Sequence, residues 1–222
     1  ITLNQDKSSN LQTDTWEQES KKLVYRQMFG AMDPLLLTSW NEFYKNLILK
    51  VRDLDLISKE LILLCLLTYT QEANGRIHIS RAKEAGVTET QMTSAISLAG
   101  AFSAFNSYNF LSENWSKEVR ITKVLDSYLR GVEQSRGELD HKLCEIMGIA
   151  CHASKRSFKG MQLHLKRAFS LKAKVSEVSE ALSYLIMVSS VPTLTDAVLE
   201  WSEMADKGLC PPPFTDLDSQ RR

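Results

Sequence analysis

The chain has 222 residues, 43% of them apolar and 24% charged, with 27 basic residues against 27 acidic ones. That is enough chain for one large cored domain or two small ones, and the balanced charge leaves no basic excess to release counterions from nucleic acid. The longest unbroken apolar run, Leu61–Leu67, falls far short of the roughly 20 residues a membrane-crossing helix needs, so neither nucleic acid nor membrane is an expected partner.

In chain order, residues 1–14 are polar and read as a loose arm. A helical pattern follows through Trp16, Leu23, Val24, Met28 and Phe29 and stops near Gly30. Asp33-Pro34 is a helix start, because Asp caps and Pro suits the first helical position. Leu36, Leu37, Trp40, Phe43, Tyr44 and Leu47 then recur at helical spacing. Leu56–Tyr69 is apolar almost all round, the pattern of a helix covered on every side. Gln71–Gly75 breaks it, and a short helix carries His78, Ala82 and Ala85 before Gly86. Thr88-x-x-Gln91 is a capping box, opening a helix that runs towards Leu111. Val119–Arg136 is an amphipathic connector, the counterpart of the helix over Leu35–Val51. Leu143–Ala153, a polar break at Ser154–Gly160, a helix with His164, Val175–Val188, and a last helix from Val191-Pro192 to near Gly208 complete the series. No segment alternates apolar and polar residues throughout, so no strand is expected and the fold class is all-α.

One stretch occurs twice. Leu54-Asp55 and Leu139-Asp140 open it, Glu60 and Glu145 stand five residues after each Asp, and His78 and His164 follow an apolar run. Each His leads into His-x3-Ala (Ala82, Ala168) and a further Ala (Ala95, Ala181). The two Asp are 85 residues apart and the two His 86, so one extra residue lies between Glu and His in the second copy. Self-similarity at a fixed offset is the mark of a duplicated unit.

A Glu in an apolar helix costs several kcal/mol if it stays charged and unpaired. It needs a partner, and the His of the following helix is the expected one. Such a pair fixes one imidazole tautomer and allows the ring to move protons near neutral pH; the same pair can equally serve only to join two helices. His78 with Glu60, and His164 with Glu145, are the candidate catalytic residues. Arg76, Arg81 and Arg167 are cations near the histidines. Arg76, two residues before His78, is the candidate anchor for an anionic substrate. His141 and His152 read as incidental. No Cys/His or H-x3-H spacing supports a metal site, and no glycine-rich phosphate loop occurs. Cys65, Cys144 and Cys151 lie in apolar helical runs, where Cys behaves as a small hydrophobe. This suits a reducing compartment, and the cytoplasm is the expected location.

The pattern Leu-Asp-x4-Glu, apolar run, turn, His-x3-Ala resembles the carboxymuconolactone decarboxylase family, which includes the alkylhydroperoxidase D-like proteins. His78-Ile-Ser-Arg-Ala82-Lys-Glu-Ala-Gly86-Val-Thr fits the family phrase His-x3-Ala-x3-Gly-x-Thr closely; His164-Leu-Lys-Arg-Ala168 fits it with Lys172 in place of Gly. The resemblance spans roughly Pro34–Leu111 and Val119–Trp201. It implies an alkylhydroperoxidase D-like multihelical fold in two tandem repeats (15–115 and 116–208, with a tail over 209–222). It also implies a homotrimer that imitates the hexameric ring of single-repeat members. The peroxidase branch carries C-x-x-C just before the His. Gln71 and Asn74, then Ser157 and Gly160, stand there instead, so a dithiol cycle has no thiols to run on. The decarboxylase branch places acidic residues in that turn, where Glu72 stands in the first copy; Lys155, Arg156 and Lys159 mark the second.

The leading expectation is therefore a lyase without a cofactor, acting on a small carboxylate or lactone. His78 would be general acid/base, Glu60 would orient it, and Arg76 and Glu72 would sit at the substrate. A non-catalytic helical scaffold or small-ligand binder is the second reading. A thiol-dependent peroxidase using Cys65, Cys144 or Cys151 is the third.

Overall fold

The computed structural model describes residues 20–214, which are all-α, with no strand among them. The expected arm over 1–14 lies outside the described residues. Helices α1 (Val24–Met32) and α2 (Pro34–Tyr44) form a hairpin. Asp33 caps α2, its carboxylate accepting from Leu35 N at 2.8 Å, and Pro34 occupies the first turn, where its missing N–H costs nothing. A single π-helical turn, Lys45–Leu49, continues α2 into the core.

Helix α3 (Leu56–Thr70) begins at Asp55, which accepts from Ser58 N at 2.9 Å. Helix α8 (His141–Ser154) begins in the same way at Asp140, which accepts from Leu143 N at 3.0 Å. Leu54 and Leu139 are both buried beside these caps. The repeated Leu-Asp is thus an apolar anchor plus a helix cap, the stop and start chemistry that satisfies the orphan amides of a first turn. Residues Lys59–Leu66 of α3 and Leu143–Ser154 of α8 are buried without interruption, so both helices are covered on every face.

These two helices pack on each other at the centre of one continuous core. Cys65 Sγ and Cys151 Sγ meet there at 3.6 Å. A disulfide requires about 2.05 Å, and all four cysteines are free thiols.

The chain leaves α3 through Gln71, at φ 61°, and leaves α8 through Arg156, at φ 54°. After the first break comes a 3-10 turn, Ala73–Arg76, then α4 (Ile77–Glu84); after the second comes α9 (Phe158–Ser170). Gly86 at φ 90° and Lys172 at φ 62° end these helices, so the second copy keeps the left-handed turn without the glycine. Helix α5 (Glu89–Ser103) opens with the Thr88/Gln91 capping box; α10 (Val175–Ser183) opens with Glu177 accepting from Lys174 N at 2.8 Å.

Two expected helices are each divided. The one read through to Leu111 breaks at Ala104 into α5 and α6 (Phe105–Asn114), and Val175–Val188 breaks at Tyr184 into α10 and α11 (Leu185–Val188). Ala104 N and Tyr184 N bond three residues back, to Ala101 O and Ala181 O. The tighter turn redirects the axis and seats Phe105 in the core. Neither break has a Gly or Pro to announce it.

Helices α7 (Ile121–Arg136) and α12 (Val191–Asp206) complete the set. After α12 the chain folds back, and Trp201 Nε1 donates to Pro211 O at 2.8 Å. Across the core, Glu180 of α10 accepts from Asp53 N and Leu54 N at 2.7 and 2.9 Å, so the second half of the chain fixes the start of α3. No helix among the described residues is long and apolar enough to cross a membrane.

Candidate functional site

Glu60 is fully buried on α3, which obliges its carboxylate to find donors. It finds them on one face of α4, where His78 and Arg81 are three residues apart and so lie side by side. His78 Nδ1 is 2.8 Å from Glu60 Oε2. Arg81 donates through Nη2 at 2.8 Å and Nε at 3.1 Å to Glu60 Oε1. Tyr44, the last residue of α2, places its hydroxyl 3.3 Å from His78 Nε2.

The electrostatics set the proton positions. Burial pushes the Glu60 carboxyl up, but Arg81 and then His78 outweigh it and hold it down to about 2. Burial lowers the His78 pKa, with Glu60 opposing, and burial raises that of Tyr44. Near neutral pH Glu60 is therefore ionised, His78 a neutral ring and Tyr44 a neutral phenol. An ionised carboxylate only accepts, so His78 donates from Nδ1–H, and its bare Nε2 accepts from the Tyr44 hydroxyl.

His78 and Tyr44 lie in the wall of a cavity of about 300 Å³. Its apolar lining includes Leu23, Phe29, Trp40, Ile48, Leu67 and Met187, and its polar lining is Tyr25, Tyr44, His78, Glu72 and Asn74. Leu23 and Phe29 come from the first hairpin and Met187 from α11, so the cavity draws on both halves of the described chain.

Helix α8 repeats the arrangement with different surroundings. His164 Nδ1 is 2.6 Å from Glu145 Oε2, Arg167 Nε donates to Glu145 Oε1 at 2.7 Å, and the Tyr128 hydroxyl is 2.6 Å from His164 Nε2. Here the ring space is filled. Phe102 packs on His164 at 5.1 Å between centroids, and His152 stacks on it at 5.2 Å with planes 17° apart. His152 Nε2 is also 3.1 Å from the Tyr128 hydroxyl. His164 is fully buried, whereas Arg167 keeps 42% of its side chain exposed.

Of the residues expected at the site, the structure brings together His78 with Glu60 and His164 with Glu145. Glu72 lines the His78 cavity and also caps the next turn, accepting from Asn74 N at 3.0 Å. Arg76 is exposed and lines an adjoining hollow, which shares Leu67, Glu72 and Gly75 with the His78 cavity; it is not in the cavity's own lining. Arg81 is the cation that joins the histidine, through Glu60. Sequence reasoning missed Tyr44, Tyr128 and His152. The two tyrosines recur 84 residues apart, close to the repeat offset, which is the signal that could have found them. His152, read as incidental, is fully buried within the second constellation. Burial also pushes the Cys65 and Cys144 thiols up, which works against thiolate chemistry. No three His, Cys, Asp or Glu among the described residues stand together as a metal site.

Comparison with family models, curated proteins and solved structures finds no match to this chain.

Proposed function

We propose that this protein is an enzyme without a cofactor that moves a proton on a small molecule held at His78, in the manner of a carboxymuconolactone decarboxylase-like lyase or isomerase. The observation that carries this is the chain Glu60–His78–Tyr44 in the wall of a cavity of about 300 Å³. An ionised Glu60 holds the imidazole by Nδ1, which leaves the basic Nε2 on the side of Tyr44. His78 takes a proton from an activated carbon or returns one to it. The phenol of Tyr44 donates to the oxygen on which charge develops. Arg81 keeps Glu60 ionised and is a positioning residue.

The duplicated Leu-Asp, Glu, His and Arg positions support two tandem helical units of the alkylhydroperoxidase D-like kind. The same reading carries a trimer of this chain. Val24, Met28, Met32 and Leu35 of the first hairpin are exposed apolar residues that a neighbouring copy would cover. Sedimentation equilibrium reads this directly, and a monomer at micromolar concentration would remove it.

The test of activity is solvent deuterium uptake at carbons next to the carbonyl of small lactones and cyclic ketones. Exchange is expected with the intact protein and to fall by roughly 10²–10⁴ in His78→Gln. Equal rates in both would refute the assignment. The second constellation favours another role for its own half: with Phe102 and His152 packed on His164, Glu145, His164 and Arg167 tie α8 to α9 as structure. If both halves do only that, the protein is a small-ligand binder, and His78→Gln would leave every function intact.

A further inference from the structure

Resting on the proton-transfer reading of the His78 cavity, and narrowing it to its isomerase arm because a decarboxylation needs a carboxylate, we infer that its substrate is an uncharged, flat, ring-bearing molecule with one carbonyl or hydroxyl oxygen, and not a carboxylate. Three observations point the same way. The first is where the cations are. Among the described residues none lines the cavity. Arg81 and Lys59 are sealed behind the histidine at 0% exposure. Arg81 is already engaged by both its Nε and Nη2 with Glu60, and the Lys59 ammonium donates to Leu49 O at 3.3 Å. Arg76 lines the adjoining hollow, on the far side of the shared Leu67, Glu72 and Gly75, and not the cavity itself. Arg26 stands within electrostatic reach of Tyr44 but is not part of the lining. The second observation is Glu72, a carboxylate within the lining. An anion entering beside it would shed water and meet a like charge.

The third is the shape of what remains. Trp40, Phe29 and Tyr25 form edge-to-face ring contacts with centroids 5.7 to 5.9 Å apart, and all three line the cavity. Aromatic walls of this kind stack flat rings. The polar groups are few, the phenol of Tyr25 beside Trp40, Tyr44 and His78 on one element pair, and Glu72 and Asn74 on the turn, the pattern of an apolar pocket with a few orienting groups. The hydroxyl of Tyr44 and the ring of His78 can address one neutral oxygen and one adjacent acidic C–H; nothing in the lining compensates a fixed negative charge.

Isothermal titration with two ligands that share one flat ring system tests this without turnover: 2-naphthol, neutral at neutral pH, against 2-naphthoate, an anion. The expected result is 2-naphthol binding at least about tenfold tighter, with the gap narrowed in Glu72→Gln, which keeps the acceptor for Asn74 N. Saturable 2-naphthoate binding as tight as that of 2-naphthol would overturn the inference, all the more so if lost in Arg26→Gln. So would the absence of saturable 2-naphthol binding. If 2-naphthol binds but no carbon acid exchanges, the uncharged-ligand inference stands and the catalytic reading falls. The converse pattern, exchange on carboxylates alone, sinks this inference and leaves the catalytic one.

Discussion

His152 lies stacked on His164, ring centroids 5.2 Å apart and planes 17° from parallel. Both Nε2 atoms meet the Tyr128 hydroxyl, at 3.1 and 2.6 Å. Its place is that of Leu67 in the first half, 85 residues earlier. Gly75 faces Leu67 as Gly160 faces His152, each with room for no Cβ. Where Leu67 forms an apolar cavity wall, His152 together with Phe102 fills the equivalent space.

Burial, and then the neighbouring His164, hold the His152 pKa well below the ordinary value. The sign follows. A histidine kept neutral in the fold gains a proton on unfolding below about pH 6.5. Its contribution to stability is therefore present above that pH and is lost as pH falls. Urea midpoints between about pH 7 and 5 should decline in the native chain and less steeply in His152→Leu, by close to one proton. An unchanged slope would show that His152 is protonated in the fold.

Gly148 gives His164 its position. A Cβ there would stand 2.6 Å from the imidazole carbon, so Gly148→Ala must displace a buried ring. Destabilisation of about 1–3 kcal/mol is expected by chemical denaturation. A neutral result would mean that α8 and α9 can move apart freely.

Lys172 holds φ 62° where the first half has Gly86. A left-handed Lys costs about 1–2 kcal/mol, of which the greater unfolded freedom of Gly takes back part. Lys172→Gly should stabilise the protein by about 0.5–1 kcal/mol. An equal or lower melting temperature would show that the Lys side chain compensates.

Glu60 holds two buried cations, Arg81 directly and Lys59 beside it, whose ammonium burial brings down to about 8. Glu60→Gln removes the carboxylate that both cations share, the largest charge partner of each, and should cost about 3–5 kcal/mol. Glu60→Gln with Arg81→Met should recover part of that loss. The acid side has a defined direction. The carboxyl is lowered from 4.5 to about 2, so its contribution is complete above about pH 4.5 and is lost as pH falls towards 2. Circular dichroism during acid titration should show the native chain losing more stability across that window than the double variant.

The helices were legible because caps and breaks are local chemistry: Asp33-Pro34 and the Thr88/Gln91 box lie where the residues placed them, while Asp55 and Asp140, read only as the opening of each copy, are caps as well. The contacts of Glu60 and Glu145 with their histidines were legible for a different reason, since a carboxylate in an apolar helix has to be satisfied. Arg81 was within reach of the same logic, because three residues past His78 is the same helix face; proximity in sequence favoured Arg76 instead, which lines the adjoining hollow and not the cavity. Tyr44 and Tyr128 reach their histidines from a preceding helix, a tertiary relation that no local signal states. His152 depends on the absent Cβ of Gly160. The breaks at Ala104 and Tyr184 are backbone adjustments to packing.

Whether His78 is a poised base rests on the state of its ring. Nitrogen-15 NMR of histidine-labelled protein, with His78→Gln to assign the signal, reads that state directly. At neutral pH the ring should be neutral with its proton on Nδ1 and Nε2 bare, and its titration should fall below the ordinary histidine value. A proton on Nε2, or an imidazolium at neutral pH, would contradict the geometry on which the proposed chemistry stands.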